Sequence, residues 1–365
     1  MGDQVQREGC SPLQRAARLR HGATKRSAMA LLVGDIGATK ALLAWAETDG
    51  TTVSLARPRR FATADFPSLD SMLAPFCAGT PSLPAAACLG VPGPVAGGAC
   101  RTTNLPWLLE EVTLAAACGL ERVLLVNDFE ATARGVLATP PRHLHLLHGP
   151  GVRTDRVLAV LGPGSGLGEA VVVPHREGHL VLPSEGGHAD FAPRGELQRA
   201  LAATLAGPEE HVALEHVLSG PGLVRIYEFL VRTGRPAAAA VERAAPARKP
   251  AAITRLASSG HRTCQEVVEL FVRVLGAEAG NLALRCLARG GVVVAGGIAP
   301  RILPKLADGA FVTAFLAKGS MRGLLEEVPL AVCTDPATPL RGAALLGYER
   351  LQEDRFQYPG GQDNP

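Results

Sequence analysis

Short apolar runs recur along the chain, cut by glycine and polar turns, and between them lie longer stretches whose apolar positions return at helical spacing. The runs predict strands at Ala30–Asp35, Ala41–Ala46, Ala86–Val91, Arg122–Val126, Val157–Leu161, Glu169–Val173 and Gly291–Ala295. The helical spacing predicts helices at Trp107–Ala117, Glu130–Leu137, Gly195–Ala206, Gly222–Thr233 and Cys264–Arg289, with a terminal helix near Leu340–Gln352. Strands alternating with helices throughout give an α/β chain. Gly234–Pro250, rich in Ala, Pro and Arg, reads as a loop or surface excursion.

One pattern occurs twice. LLVGDIGATKALLAWAE (Leu31–Glu47) is strand, small polar turn, strand, with Asp35 at the end of its first run. RVLAVLGPGSGLGEAVVVP (Arg156–Pro174) repeats the plan in the other half of the chain. The spacing suggests two related domains, each offering one turn to a shared cleft; a chance pair of hairpins is the alternative.

Composition narrows the class. A chain of 365 residues, 47% hydrophobic, buries a sizeable core and has room for two domains. The net charge is +3 and the basic residues are dispersed, so no nucleic-acid partner is expected. Their densest group is Arg7, Arg15, Arg18, Arg20, Lys25 and Arg26, in a polar segment without the apolar core of a signal peptide. Met29 is followed at once by a strand, so residues 1–28 are expected to be a disordered arm or a mis-assigned start, and 353–365 a flexible tail. Asp35 interrupts the apolar run after Met29 too early for a membrane span. The eight cysteines form no CxxC pair and read as reduced thiols of a cytoplasmic protein.

Successive backbone amides in a tight turn hold polyanionic phosphate well. Gly37-Ala38-Thr39 and Gly162-Pro163-Gly164-Ser165-Gly166-Leu167-Gly168 both suit that task, with the Thr39 and Ser165 hydroxyls as further donors. No GxxxxGK[ST] is present, and the second turn leads into a strand without GxGxxG register, which removes the P-loop and Rossmann readings. Asp35 beside a triphosphate is a natural anchor for Mg²⁺ or its water shell. Asn127-Asp128 ends an apolar strand just before a helix, where ligand chemistry gathers in α/β sheets. Asp128 there either accepts a proton from an attacking hydroxyl or caps the helix.

PSEGGHADFAP carries Glu185 and His188 around two glycines, an arrangement suited to the hydroxyls of a sugar. The glycines disfavour a helical ExxH metal site, and no further ligand lies at a recognisable metal spacing. Taken locally, Glu215 is a solvated helix residue, Gly296-Gly297 passes an adenosine ring or makes a plain turn, and Asn104 touches a sugar or shapes the turn before Trp107. His143, His145 and His148 read as surface histidines.

With these residues in view, the chain from about Met29 to Leu351 resembles the bacterial glucokinases of the actin-like ATPase and sugar-kinase fold. The resemblance is carried in order by VGDIGAT, GVPGPV with TTNLPW, VNDFEA, GPGSGLG, EGGHADFAP, HVLSGPGLV and VVVAGGIAPR. It implies a two-domain α/β fold, a duplicated ribonuclease-H-like unit with an interdomain cleft: a small domain at 29–138, a large one at 139–335, and a terminal helix at 336–352 returning to the small domain. It implies glucose and ATP as substrates, Mg²⁺ as cofactor and a homodimer. Gly34, Asp35, Ile36, Gly37, Ala38 and Thr39 would form the first phosphate motif, Gly162, Gly164, Ser165, Gly166 and Gly168 the second, and Gly296-Gly297 the adenosine motif. Asp128 would be the base, with Asn104, Asn127, Glu185, His188 and Glu215 on the sugar. The first motif departs from the family's Gly-Gly-Thr-Asn and following Arg by carrying Ala38, Lys40 and Leu42, with Lys40 able to put a charge on a phosphate. The zinc-binding cysteine cluster of the related repressor/open-reading-frame/kinase group is missing. A kinase of another hexose or amino sugar and a non-catalytic sugar sensor are the rival readings.

Overall fold

The computed structural model describes residues 27–78, 83–102, 105–176, 178–208 and 210–357. The basic arm up to residue 26 and the tail from 358 onward lie outside the described residues, as does Asn104.

The N-terminal half contains β1 (Met29–Ile36), β2 (Lys40–Thr48), β3 (Val53–Ala62), α1 (Leu69–Cys77), β4 (Ala86–Val91), β5 (Val95–Ala96), β6 (Ala99–Arg101), β7 (Leu108–Glu110), α2 (Glu111–Cys118), β8 (Arg122–Asn127) and α3 (Asp128–Val136). The remainder contains β9 (Leu144–His148), β10 (Leu158–Pro163), β11 (Leu167–His175), β12 (Gly178–Ser184), α4 (Gly195–Leu205), α5 (Gly220–Arg232), α6 (Ala239–Glu242), α7 (Lys249–Ser258), α8 (Arg262–Cys286), β13 (Gly291–Val294), α9 (Leu303–Leu306), α10 (Ala310–Leu316), α11 (Arg322–Glu326), β14 (Leu330–Cys333) and α12 (Thr338–Gln357).

The strands form two large sheets with one plan. The first runs β3-β2-β1-β4-β8; the second runs β12-β11-β10-β13-β14, with β9 added beyond β14. In each, three consecutive strands (β1–β3 and β10–β12) are antiparallel neighbours and two later ones (β4 and β8, β13 and β14) join in parallel. The repeated hairpins β1–β2 and β10–β11 therefore hold equivalent places in a duplicated α/β unit. β5, β6 and β7 make a small third sheet.

Period-two alternation explains the burial of β1. Leu32 and Ile36 enter a core with Leu69, Met72, Leu73 and Leu114, while Leu31 and Val33 meet Leu340, Ala343 and Ala344 of α12. A strand covered on both faces reads as a continuous apolar run, which is why it was visible in the sequence. β7 corrects the expected helix Trp107–Ala117, whose opening residues extend to pair with β6. The expected excursion at Gly234–Pro250 contains the short helix α6, and Val241 within it is fully buried.

α3 joins the two sheets. Ala131 packs with the first sheet's core, whereas Ala133 and Val136 pack with Leu158, Val160 and Val293 of the second. α12 crosses α3 at very short range: a Cβ on Gly342 would overlap the Ala131 carbonyl, and one on Gly135 the Thr338 carbonyl. The crossing is tied by the Arg134–Glu349 ion pair, by Arg350 bonding Glu130 at 2.9 Å, and by the Thr139 and Thr338 hydroxyls at 3.0 Å.

Candidate active site

The two hairpin turns solve one backbone problem in the same way. In the first, the Gly37 amide donates to the Lys40 carbonyl at 2.9 Å, and in the second the Gly164 amide donates to the Gly166 carbonyl at 2.8 Å. Each bond closes the turn and leaves two successive amides, Ala38 and Thr39 in one and Ser165 and Gly166 in the other, without an acceptor among the described residues. The first turn is braced from behind by the Thr63 hydroxyl donating to the Gly37 carbonyl at 2.9 Å. The Gly220 amide donates to the Gly164 carbonyl at 2.8 Å and braces the second. Paired free amides of this kind form an anion cradle.

Four residues expected at the phosphates pack closely against their neighbours. Gly34 is buried between Leu89 and Leu43, and Ile36 is fully buried in the core. Gly162 and Gly168 face each other across β10–β11, and both lie against the ring of Phe129, leaving no room for a Cβ. Phe129 is thus a site-building residue that the sequence reading missed; the two bracketing glycines were its only trace. Gly296, at φ +87°, lies against the Pro163 carbonyl, so it borders the second cradle, and Gly297 beside it is exposed.

In the Asn127-Asp128 pair the capping role falls to Asn127. Asn127 is the helix cap: its Oδ1 accepts from the Phe129 and Glu130 amides at 2.9 and 3.1 Å, and its Nδ2 donates to the Gly93 carbonyl at 3.2 Å. One N–H of that amide stays available to a ligand. Asp128, the first helical residue, is thereby relieved of capping. Burial, the nearby Asp35 carboxylate and more weakly Glu185 push its carboxyl up to about 7, against the pull of the Phe129 amide and its own. Asp35 is itself raised to about 6 by burial, opposed by Lys40. A carboxyl titrating near neutrality is matched to general-base work.

The remaining polar residues stand on the second unit. Glu185 and the turn Gly186–His188 follow β12; both side chains are exposed, with His188 Nε2 4.0 Å from Glu185 Oε2. Glu215, on a 3-10 turn rather than a regular helix, accepts from the Leu167 amide at 2.9 Å and lies against Gly166. It therefore stands against the second cradle. Asp35 and Glu185 both come close enough to Asp128 to act on its carboxyl.

Comparison with known proteins gives the family. The family model described as Glucokinase matches residues 32–349. The glucokinase of Trichormus variabilis is 37% identical over 336 residues, covering 86% of this chain and 98% of its own. That of Synechocystis sp. is 36% identical with 86% and 96% covered. Among solved structures, the glucokinase from an Antarctic psychrotroph superposes with a TM-score of 0.72 at 31% identity, covering 87% of this chain and 98% of that one. A ROK-family glucokinase from Streptomyces griseus, solved with glucose and AMPPNP, shares the fold at a TM-score of 0.61 and 20% identity, covering 88% and 99%. Most of the sequence, the duplicated sheets and the paired turns lead to one assignment: the chain belongs to the glucokinase family and has the actin-like ATPase fold of the sugar kinases.

Proposed function

We propose that the protein transfers the γ-phosphoryl group of ATP to the 6-hydroxyl of glucose, giving glucose 6-phosphate and ADP. The observation that carries the reading is Asp128, freed from capping by Asn127 and raised to about 7 between Asp35 and Glu185. The relatives' activity and the free amides of both turns support it.

In the reaction Asp128 accepts the proton of the 6-hydroxyl as that oxygen bonds to the γ-phosphorus and the bond to the ADP oxygen breaks. Glu185, His188, the free N–H of Asn127 and Glu215 Oε1 orient the sugar, with Asn104 a further candidate. The Ala38, Thr39, Ser165 and Gly166 amides and Lys40 hold phosphate oxygens. Gly296-Gly297 borders the adenosine. Asp35 would hold Mg²⁺ through water. The fit is electrostatic: Asp35 and Asp128 stand together with both carboxyls raised, and a cation relieves that repulsion. Among the described residues no three His, Cys, Asp or Glu cluster as metal ligands, and Mg²⁺ takes most of its ligands from water and phosphate. When bound, Mg²⁺ supplies neutralising charge at the phosphates.

We further propose that residues 29–138 and 139–335 form two domains that close over the sugar and exclude water, with 336–352 returning to the first. We expect a homodimer in the cytoplasm. Leu180 and Leu182, about half exposed on edge strand β12, supply apolar surface for a subunit contact, and none of the described helices is long and apolar enough to cross a membrane.

A coupled ADP-release assay across glucose, mannose, fructose and N-acetylglucosamine tests the reading. Glucose-dependent release is expected. Release with another acceptor alone would shift the substrate, and binding of glucose without release would make the protein a sensor.

A further inference from the structure

Glu169 is a buried titratable group for which the mechanism above has no role. Its side chain is 1% exposed, and neither carboxylate oxygen has a hydrogen-bond partner among the described residues. It follows Gly168 on β11, so alternation turns it away from Phe129 and toward α8. Two charged groups of α8 stand near it there. Glu278 is itself 2% exposed, and Arg285 brings Nη1 to 3.9 Å from Glu169 Oε2 while its other nitrogen bonds Glu278. Lys318 joins the cluster from the far side, bonded to Asn281 and the Ala277 carbonyl.

The opposite side of Glu169 is the hexose turn. A Cβ on Gly186 would overlap Glu169 Oε2. Ser184, paired with Glu169 across β11–β12, donates to its carbonyl at 3.3 Å and accepts from the Gly186 amide at 3.2 Å. The turn that presents Glu185 and His188 therefore rests on this carboxyl.

A buried carboxyl left without partners costs free energy, and one placed directly under ligand-binding residues points to a state in which it is satisfied. We infer that Glu169 is a positioning residue for the hexose subsite, its carboxyl holding the Gly186–His188 turn so that Glu185 and His188 face the sugar. The inference rests on the sugar-binding reading of those two residues. When the turn settles on the sugar, it gives the carboxyl hydrogen-bonding partners, and that gain adds to affinity. Burial, reinforced by Glu278 and opposed by Arg285, lifts the carboxyl to about 7, so a neutral side chain of the same shape is expected to substitute for it.

The test is glucose affinity by calorimetry without nucleotide, together with steady-state kinetics and thermal denaturation. Glu169→Leu is expected to weaken glucose binding, and to raise its KM, by about tenfold or more, from the loss of a satisfied buried polar group. The ATP KM stays unchanged, kcat stays within about threefold, and Tm stays level or rises because an unsatisfied group has gone. Glu169→Gln retains glucose affinity. Glu169→Asp, which withdraws the carboxyl by one methylene, loses it and serves if the leucine variant fails to fold. A merely structural residue would instead lower Tm in every variant without separating glucose KM from kcat. Parental glucose affinity in both Glu169→Leu and Glu169→Asp, or failure of Glu169→Gln to retain it, overturns the inference. Glu185→Gln is the control: if it leaves glucose binding intact, the sugar-site reading itself is wrong; if it abolishes binding while the Glu169 variants bind normally, the positioning role alone fails.

Discussion

Replacing Asp128 by Asn should make the protein at once less active and more stable. Its carboxyl rises from 3.8 to about 7 on folding. That is roughly three pKa units, and at about 1.4 kcal/mol each the ceiling is roughly 4 kcal/mol of stability lost when it ionises. Asp35, itself raised from 3.8 to about 6, causes part of the shift, and solvent at the site screens it. A share of about 2 kcal/mol is therefore the working figure. The sign follows from proton uptake: the folded state holds this proton more tightly than the unfolded one, so stability falls as pH rises from about 4 through about 7. Asn keeps the shape without the charge. Its Tm should match the parent near pH 4 and exceed it by about 2–3 °C at pH 8, by the usual conversion for a chain of this size. Turnover should drop about 10²–10⁴-fold, with glucose binding preserved. Thermal denaturation from pH 4 to 8, calorimetry with glucose and coupled ADP release measure all three. A lower Tm at pH 8, or turnover within about tenfold of the parent, would refute the assignment of Asp128 as a buried base.

Two further expectations concern other parts of the molecule. Gly342→Ala drives a Cβ into the Ala131 carbonyl where α12 crosses α3, and should cost about 3 kcal/mol or more, read as a lower Tm, whereas Gly323→Ala, with open space around it, should be neutral or slightly stabilising. Lys40→Met removes the cation beside Asp35 and the first cradle; the ATP KM should rise about three- to tenfold while glucose affinity holds, and an unchanged ATP KM would place Lys40 off the phosphates.

How much of this was legible depended on what each residue faces. β1, β4 and β8 were readable because their side chains are covered on both faces and leave unbroken apolar runs. β3, β9 and β12 were not; all three are edge strands, β3 and β12 largely exposed and β9 partly so, and their pairing is fixed by a neighbour rather than by their own pattern. The two turns and the Asn127-Asp128 pair stood out locally. Which of the pair caps and which is free did not, since both side chains can cap and only backbone geometry decides. Phe129 and Glu169 look like ordinary helix and strand residues. Their meaning arises from segments far away in sequence, the glycines of β10–β11 for one and α8 with the Gly186 turn for the other.

The duplication also accounts for the site's asymmetry. Counting back from the two closing glycines, Gly37 and Gly164, the place of Asp35 in the first unit is held by Gly162 in the second. A carboxylate there would stand next to Phe129, push the adjoining Asp128 higher still and leave it protonated at neutral pH, unable to act as a base. The second unit instead keeps a glycine and fills the space with the ring of Phe129, the residue that follows Asp128. Duplication thus supplies two amide cradles, of which only the first carries a carboxylate at this place. Gly162→Ala probes that packing, because its Cβ enters the Phe129 ring and the displaced ring carries Asp128 with it. A displacement of about 1 Å is enough for a kcat loss of about tenfold to a hundredfold with both substrates still bound. Adding Phe129→Val should restore much of the loss by making room for the methyl group. If Gly162→Ala turns over at the parental rate, the Phe129 ring does not seat the base.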